Sequence, residues 1–325
     1  MRAARVLEYG PPQSVVVEDL PDPVAGPGQV VVDIHAAAVN FPDVLIVANQ
    51  YQVSIPTPFV PGSEFAGIVS AVADDVQTVS IGDHVYGASF VGAYAERIAV
   101  SANSVTVVPD TVDLREAAAF SVAHTTAIHA LRTIADVQPE ETVLVLGAAG
   151  GVGLAAVELA TLMGARVVAA ASTDAKLDLC RRYGAVAGIN YTTEDLKVRA
   201  KELTGGAADI VLDPVGGPYA EQALRATGWG SRYVVLGFAS GEIPRIPLNL
   251  VLLKGVIVRG MEMRSISEHV PDLVARDNRE LRELFMAGKL HPHVSAVYPL
   301  AETPQALQSM LDRTATGKVL IDPRA

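Results

Sequence analysis

The sequence predicts an α/β fold, a doubly wound parallel sheet set into a mostly antiparallel β domain. Three observations predict it. A glycine turn, LGAAGGVG at 146–153, joins a β-branched apolar run to a helix-like one, and strand-like and helix-like segments then alternate as far as residue 260. The residues before 108 instead carry short β-branched runs broken by Gly/Pro turns.

In chain order, SVVVEDL, GQVVVDIHAAAV, FAGIVSAV, AERIAV and SVTVVP read as strands, with PDPVAGPG and IGDHVYG as turns among them. TVLVLG (Thr142 to Gly147) reads as a strand buried on both faces, and GVGLAAVELATLMGA as the next helix, stopped at Gly164. RVVAAAS (Arg166 to Ser172), DAKLDLCRRYG, VAGINY and TEDLKVRAKELTGG continue as strand, helix, strand, helix. ADIVLDPVGG, PYAEQALRATG and SRYVVLGF repeat the unit, and GVIVRG (Gly255 to Gly260) closes it. Six strands with intervening helices make two mononucleotide-binding halves. The tail, from MEMRSISEHV, is helical before VYPLAETPQALQSMLDRTATGKVLI gives helix, glycine stop and strand. One final strand makes no domain alone, so residues 261–325 are expected to rejoin 1–122, leaving 123–260 as an inserted nucleotide domain.

A bare loop lets something large approach the main chain. In the order strand, glycine turn, helix, free amides and the helix dipole hold a pyrophosphate without a basic side chain. The dinucleotide pattern G-x-G-x-x-G falls on Ala148, Gly150 and Gly153, with alanine in first place and Gly151 and Val152 completing the turn. Small residues also let a helix pack closely on a sheet, and the six-strand context is what favours the dinucleotide. An NAD site places a carboxylate about 20 residues on, against the adenine-ribose 2′-hydroxyl. Here that place reads Ala171, Ser172, Thr173, with Asp174 just beyond, Lys176 a turn later and Tyr191 after the third strand. Ser172, Lys176 and Tyr191 suit a 2′-phosphate, which an ammonium attracts and a carboxylate repels, so NADPH is expected over NADH. A solvated Lys176 and an N-cap role for Asp174 are the competing readings.

At 325 residues, half of them apolar, the chain can bury about two domain cores. With 25 basic against 36 acidic side chains it carries −11, which disfavours nucleic acid or an anionic membrane as partner. The stretch Val143 to Ala171 holds Glu158, Arg166 and clustered glycines, so no membrane span is expected. The one cysteine, Cys180, cannot form an internal disulfide, and MRAARVLEYGPPQSV is too polar for a secretory segment; a cytoplasmic location is expected.

AAVNFPDVLIVANQYQ, PFVPGSEFAGIV, IGDHVYG, GAAGGVG and GKVLI stand in the order and at the spacing found in medium-chain dehydrogenases/reductases. Over nearly its whole length the chain resembles the zinc-free NADPH:quinone oxidoreductases of that superfamily, the zeta-crystallin-like proteins. The resemblance implies a GroES-like catalytic domain with an inserted Rossmann domain, and commonly a homodimer. It also implies that Asn40 and Thr126 line the nicotinamide, that Gly237, Phe238 and Ala239 form a loop on its side, and that Tyr51 matches a proton-donating tyrosine of related enoyl reductases. Asn40 and Tyr51 are thus the catalytic candidates. By residue type alone, Tyr51 equally suits a lining aromatic, Thr126 a helix surface, and Asn40 and Asp43 the cap of a short helix. The runs RYVVLGF and GVIVRG offer strand edges for pairing across a two-fold axis.

In the zinc alcohol dehydrogenases of the superfamily, a cysteine and a Gly-His-Glu segment occupy the places of Asn40 and Gly62-Ser63-Glu64. Neither Asn40 nor Ser63 is a thiolate or an imidazole, and His291 and His293 read as part of a proline loop, so no metal is expected. That removes the usual Lewis acid for alcohol oxidation. The expected chemistry is hydride delivery from NADPH to an activated small molecule, a quinone or a carbon–carbon double bond conjugated to a carbonyl. Val47 stands where many quinone-reductase relatives carry arginine, and Asn49-Gln50-Tyr51 replaces their G-x-Y, which weakens the case for an anionic substrate. Two alternatives are an enoyl-thioester (enoyl-CoA) reductase and a non-catalytic NADPH-binding protein.

Overall fold

The computed structural model describes all 325 residues. They divide into two compact units, Met1–Val122 with His291–Ala325, and Ala123–Leu290. In the first unit, β1 (Arg2–Val6) and β2 (Val15–Asp19) form an antiparallel pair. The main sheet begins with β3 (Gln29–Val39), after which α1 (Phe41–Val47) follows at once. Then come β4 (Glu64–Val72), β5 (His84–Ala88), β6 (Arg97–Ser101) and β7 (Val105–Val108), and α2 (Leu114–Ile128) runs on into the second unit.

The last turns of that helix, His129–Ala135, widen to a π-helix. The parallel sheet follows, built from β8 (Thr142–Leu146), β9 (Arg166–Ala171), β10 (Ala187–Asn190), β11 (Ala208–Asp213), β12 (Thr227–Val235) and β13 (Ile257–Gly260). Between them lie α3 (Gly151–Leu162), α4 (Asp174–Arg182), α5 (Leu196–Leu203), α6 (Pro218–Arg225) and α7 (Leu248–Lys254). The strand order is β10-β9-β8-β11-β12-β13, so the order reverses at β8, the topological switch point of a doubly wound sheet. β8, with Thr142, Val143 and Val145, is β-branched, β9 is mostly Val and Ala after its exposed Arg166, and both are buried on both faces, as a parallel sheet with helices on each side demands.

α8 (Met263–His269) and α9 (Pro271–Met286) also belong to the second unit, which corrects the expected break after residue 260: the chain leaves this unit after Leu290. A buried hydrogen-bonded cluster holds α9 to this unit. Asp277 on α9 and His129 on the π-helix are both fully buried and 2.9 Å apart (Nδ1 to Oδ2), and the Thr133 hydroxyl donates to the same carboxylate oxygen at 2.6 Å. Burial works against the charge on Asp277, yet the hydrogen bonds from His129, Thr133 and Arg276 hold its carboxyl below the usual range.

Back in the first unit, β14 (Val294–Pro299), α10 (Thr303–Leu311) and β15 (Lys318–Asp322) complete the sheet β14-β15-β3-β4-β5-β7, with β6 also on β3. β15 runs antiparallel to β3, pairing Val319 with Val39, and so delivers the last strand of the chain beside the end of β3. Val32, Ile34, Phe65, Tyr94, Leu307 and Val319 are among the buried residues of this unit's core.

Candidate active site

β8 ends at Leu146, and the chain turns through Gly147 to Ala149 and enters α3 with Gly150 as N-cap. No side chain caps this end, which leaves the first-turn N–H groups of Gly151, Val152 and Gly153 available as donors. The Ala148 N–H ties the turn to β9 through the Ala170 carbonyl (3.0 Å). A Cβ on Gly153 would lie 2.3 Å from the Gly147 carbonyl oxygen, so only glycine lets α3 start so close to the turn. The structure thus brings Ala148, Gly150, Gly151, Val152 and Gly153 into one turn with free amides at a helix start, a geometry that suits an anion.

Beside it, at the end of β9, Lys176 Nζ donates to Ser172 Oγ at 3.2 Å. Thr173, rather than Asp174, is the N-cap of α4, its hydroxyl accepting from the Lys176 N–H. Asp174 is exposed in the first helical turn, and Asn190 at the end of β10 donates to its Oδ1 at 2.9 Å. The Asn190 side chain is itself buried and held, accepting the Thr192 N–H at 3.2 Å. Tyr191 lies against Tyr219 with ring centroids 4.4 Å apart.

On the other side of β8, the buried Asp213 ends β11 and shapes two loops. Its Oδ1 accepts the N–H groups of Val215 (2.8 Å) and Gly216 (2.7 Å), and its Oδ2 accepts the Tyr233 hydroxyl (2.6 Å). Burial, together with the Asp213 charge and hydrogen bond, pushes the Tyr233 phenol up, so it stays a donor. The loop of Gly237, Phe238 and Ala239 is fastened to this arch by the Ala239 N–H to the Pro214 carbonyl (3.1 Å) and the Ser240 N–H to that of Val215 (2.9 Å). Asp213 escaped the sequence reading, although a carboxylate at a strand end before Pro-Val-Gly-Gly is an Asx-turn signal. Thr126 sits half-buried on α2.

In the first unit, Asn40 joins β3 to α1. Its position is an N-cap, and it forms a capping box with Asp43, whose carboxylate accepts the Asn40 N–H at 2.8 Å. The Asn40 side chain also meets a buried ion pair: Lys318 Nζ donates to Asn40 Oδ1 (2.6 Å) and to Glu64 Oε2 (2.9 Å), while Asn40 Nδ2 donates to the same Glu64 oxygen (3.1 Å). Glu64 is fixed from its other side by the Val122 N–H, 2.7 Å from Oε1. Lys318, on β15, and Glu64, on β4, were not singled out as site residues in the sequence. Only spatial contact over 278 positions, between Asn40 and Lys318, reveals the cluster.

Asp43 extends this network. Its Oδ2 also accepts the Tyr94 hydroxyl at 2.8 Å, and Ser63 hydrogen-bonds the carboxylate. Its Oδ1 is buried with no partner. Burial pushes the Asp43 carboxyl up to about 6, against the lowering effect of Asn40, Tyr94, Ser63 and Lys318. Tyr94 lies under Gly62, where φ is +96° and a Cβ would come within 2.3 Å of the ring. Tyr51 lies beyond α1, its ring 6.2 Å from that of Phe90. Zinc does not fit this cluster: an ammonium engages the Asn40 oxygen, and no group of three or more His, Cys, Asp and Glu side chains is arranged to hold a metal ion.

Residues 26–110 match the alcohol dehydrogenase GroES-like domain and 151–277 the family described as zinc-binding dehydrogenase. Quinone oxidoreductase-like protein 2 of Rattus norvegicus is 38% identical over 322 residues, covering 98% of this chain and 91% of that one. The structure of Escherichia coli quinone oxidoreductase complexed with NADPH superposes with a TM-score of 0.90 at 27% identity, over 99% of this chain and 100% of the other. A mycobacterial protein complexed with NADPH gives 0.91 at 31%, again over 99% and 100%. The GroES-like and Rossmann architecture, the glycine turn and this full-length identity have one meaning: the chain belongs to the zinc-free quinone oxidoreductase family of medium-chain dehydrogenases/reductases.

Proposed function

We propose that this protein is an NADPH-dependent, zinc-independent reductase that transfers a hydride to a small quinone or an α,β-unsaturated carbonyl compound. The observation that carries the cofactor assignment is the turn after β9, where Lys176 and Ser172 are hydrogen-bonded to each other and the neighbouring carboxylate, Asp174, is bound by Asn190. Such a turn favours a 2′-phosphate over a 2′-hydroxyl. The α3 amides and dipole serve the pyrophosphate, and the loop fastened to the Asp213 arch, Gly237 to Ala239, serves the nicotinamide end with Thr126 and Asn40. When bound, NADPH supplies the hydride. Tyr51 is the proton donor in this reading, a phenol that protonates the reduced acceptor. Orientation and exclusion of water are what the remaining side chains contribute.

The reading includes a cytoplasmic setting, in keeping with a single buried cysteine, Cys180, that has no second cysteine to pair with. It also includes a homodimer joined along β13. No helix is long and apolar enough to cross a membrane.

The test follows nicotinamide absorbance with chelator-treated protein, NADPH or NADH, and either 1,4-benzoquinone or crotonyl-CoA. NADPH oxidation by the quinone is the expected result. Turnover confined to the thioester would move the function to enoyl reduction, and silence with both acceptors would leave a binding protein.

A further inference from the structure

An asparagine at a helix N-cap ordinarily turns its side chain to the free amides of the first turn, and Asn40, which stands in a capping box with Asp43, is engaged by a second set of partners as well. Its amide is gripped from both ends inside the protein, where Asn40, Glu64 and Lys318 are all at most 8% exposed. Three hydrogen bonds close a ring: Lys318 to Asn40, Lys318 to Glu64 and Asn40 to Glu64. The charges decide which way the amide faces, because turning it over would set its NH2 against the ammonium and its oxygen against the carboxylate. Ser63 Oγ, 3.4 Å from Asn40 Nδ2, borders the same end. A buried ion pair is a costly way to stabilise a fold, since apolar residues of similar volume often serve as well or better, and holding one defined arrangement is a recognised use for it.

We propose that Lys318 is a positioning residue of the reaction site, acting through Asn40: the Lys318–Glu64 pair fixes the orientation of the Asn40 amide, and with it the nicotinamide that Asn40 lines. The last strand of the chain, β15, then contributes to the chemistry as well as to the sheet. The proposal rests on the reading that Asn40 faces the reacting groups.

A double-mutant cycle separates the two ideas. Asn40→Ala, Lys318→Met and the double variant are compared with the wild type by the emission of bound NADPH, which needs no turnover, and by kcat and KM with NADPH and 1,4-benzoquinone. Adenosine 2′,5′-bisphosphate, which lacks the nicotinamide and addresses only the Lys176 turn and the α3 amides, is expected to bind unchanged in all of them. Each single substitution is expected to alter the emission of the bound nicotinamide and to lower kcat by about ten- to a hundredfold, the scale on which small misplacements act. The double variant is expected to be no worse than the more damaged single one, because residues acting through one another are non-additive. Wild-type behaviour of Lys318→Met in both readouts, or effects that multiply in the double variant, would overturn the proposal. An Asn40→Ala protein with unchanged emission and kcat would instead overturn the placing of Asn40. If Lys318→Met fails to fold, Lys318→Arg carries the test: it keeps the charge beside Glu64 but changes the donor geometry at Asn40, and the expected result is a retained melting temperature with altered emission, whereas unaltered emission would sink the idea.

Discussion

At the scale of single residues, Asp43 makes the sharpest statement about pH. Its carboxyl ionises near 6 in the folded protein, because burial outweighs the hydrogen bonds it receives, and near 3.8 when exposed. A raised carboxyl contributes stability that is complete below about pH 4 and lost as pH climbs through about 6, since the folded state must then ionise a buried group. At ~1.4 kcal/mol per pH unit, the loss amounts to about 3 kcal/mol. Asp43→Asn keeps the shape and an oxygen for the Asn40 N–H and the Tyr94 hydroxyl, yet cannot ionise. Urea unfolding at pH 4.5 and pH 8 is therefore expected to show the variant gaining on the wild type at the higher pH; a difference that stays constant would refute the assignment. The neighbouring Gly62 gives a second residue-level expectation. A Cβ there would strike the Tyr94 ring at 2.3 Å on a backbone already at φ +96°, so Gly62→Ala is expected to cost about 1–3 kcal/mol by overpacking, read as a lower melting temperature.

At the scale of elements, the turn from β9 into α4 and the end of β10 act together on cofactor choice. Lys176→Ala is expected to weaken NADPH by about 1.5–3 kcal/mol, the worth of a hydrogen bond to a charged group, while NADH binds as before. Asn190→Ala frees Asp174 beside the same turn, so it is expected to move selectivity toward NADH, and Asp174→Asn in that background is expected to restore it. Calorimetric titration of all three variants checks this, and equal losses for both cofactors would mean that Asn190 merely supports the fold. Much of this was legible in the sequence, because β8 to β13 are short apolar runs separated by helices and each turn carries its own chemistry. Thr142 to Gly147 was readable as a strand buried on both faces and Arg166 to Ser172 as the next strand for that reason, and the strands run over Thr142–Leu146 and Arg166–Ala171. The boundary after Leu290 was not, since α9 is held to the second unit by a contact between Asp277 and His129 that no local pattern encodes. Lys318 was hidden in the same way. It reads as the start of an ordinary strand, and only the antiparallel pairing of β15 with β3 places it at Asn40. Asp174 shows the limit of residue type as a guide: an N-cap by composition, it yields that place to Thr173 one position earlier.

At the scale of the whole molecule, the parallel sheet ends in an open edge. β13 pairs only with β12, and its Ile257 and Val258 are 52% and 43% exposed. Close by in the chain, α7 presents Leu252 and Leu253 at 81% and 72%, and Trp229 on β12 is almost wholly exposed. An apolar strand edge with unpaired backbone groups is a template for another strand, which a monomer ordinarily blunts with charge, proline or a covering helix. The one charge on β13, Arg259, is exposed, and its Nη1 donates to the Ile134 carbonyl at 2.9 Å. A second copy of the same edge would satisfy both surfaces at once, because antiparallel pairing of β13 with its own copy across a two-fold axis would join identical backbone groups and continue the sheet. The net charge of −11 argues against an acidic membrane or nucleic acid as the cover for this edge. Sedimentation equilibrium is therefore expected to give twice the 34.1 kDa of the chain. Val258→Glu, which sets two like charges near the axis of such a pair, is expected to give the monomer with NADPH binding at the Lys176 turn retained. A wild-type protein that sediments as a single chain, or a Val258→Glu variant that remains dimeric, would show that this edge is not where copies meet.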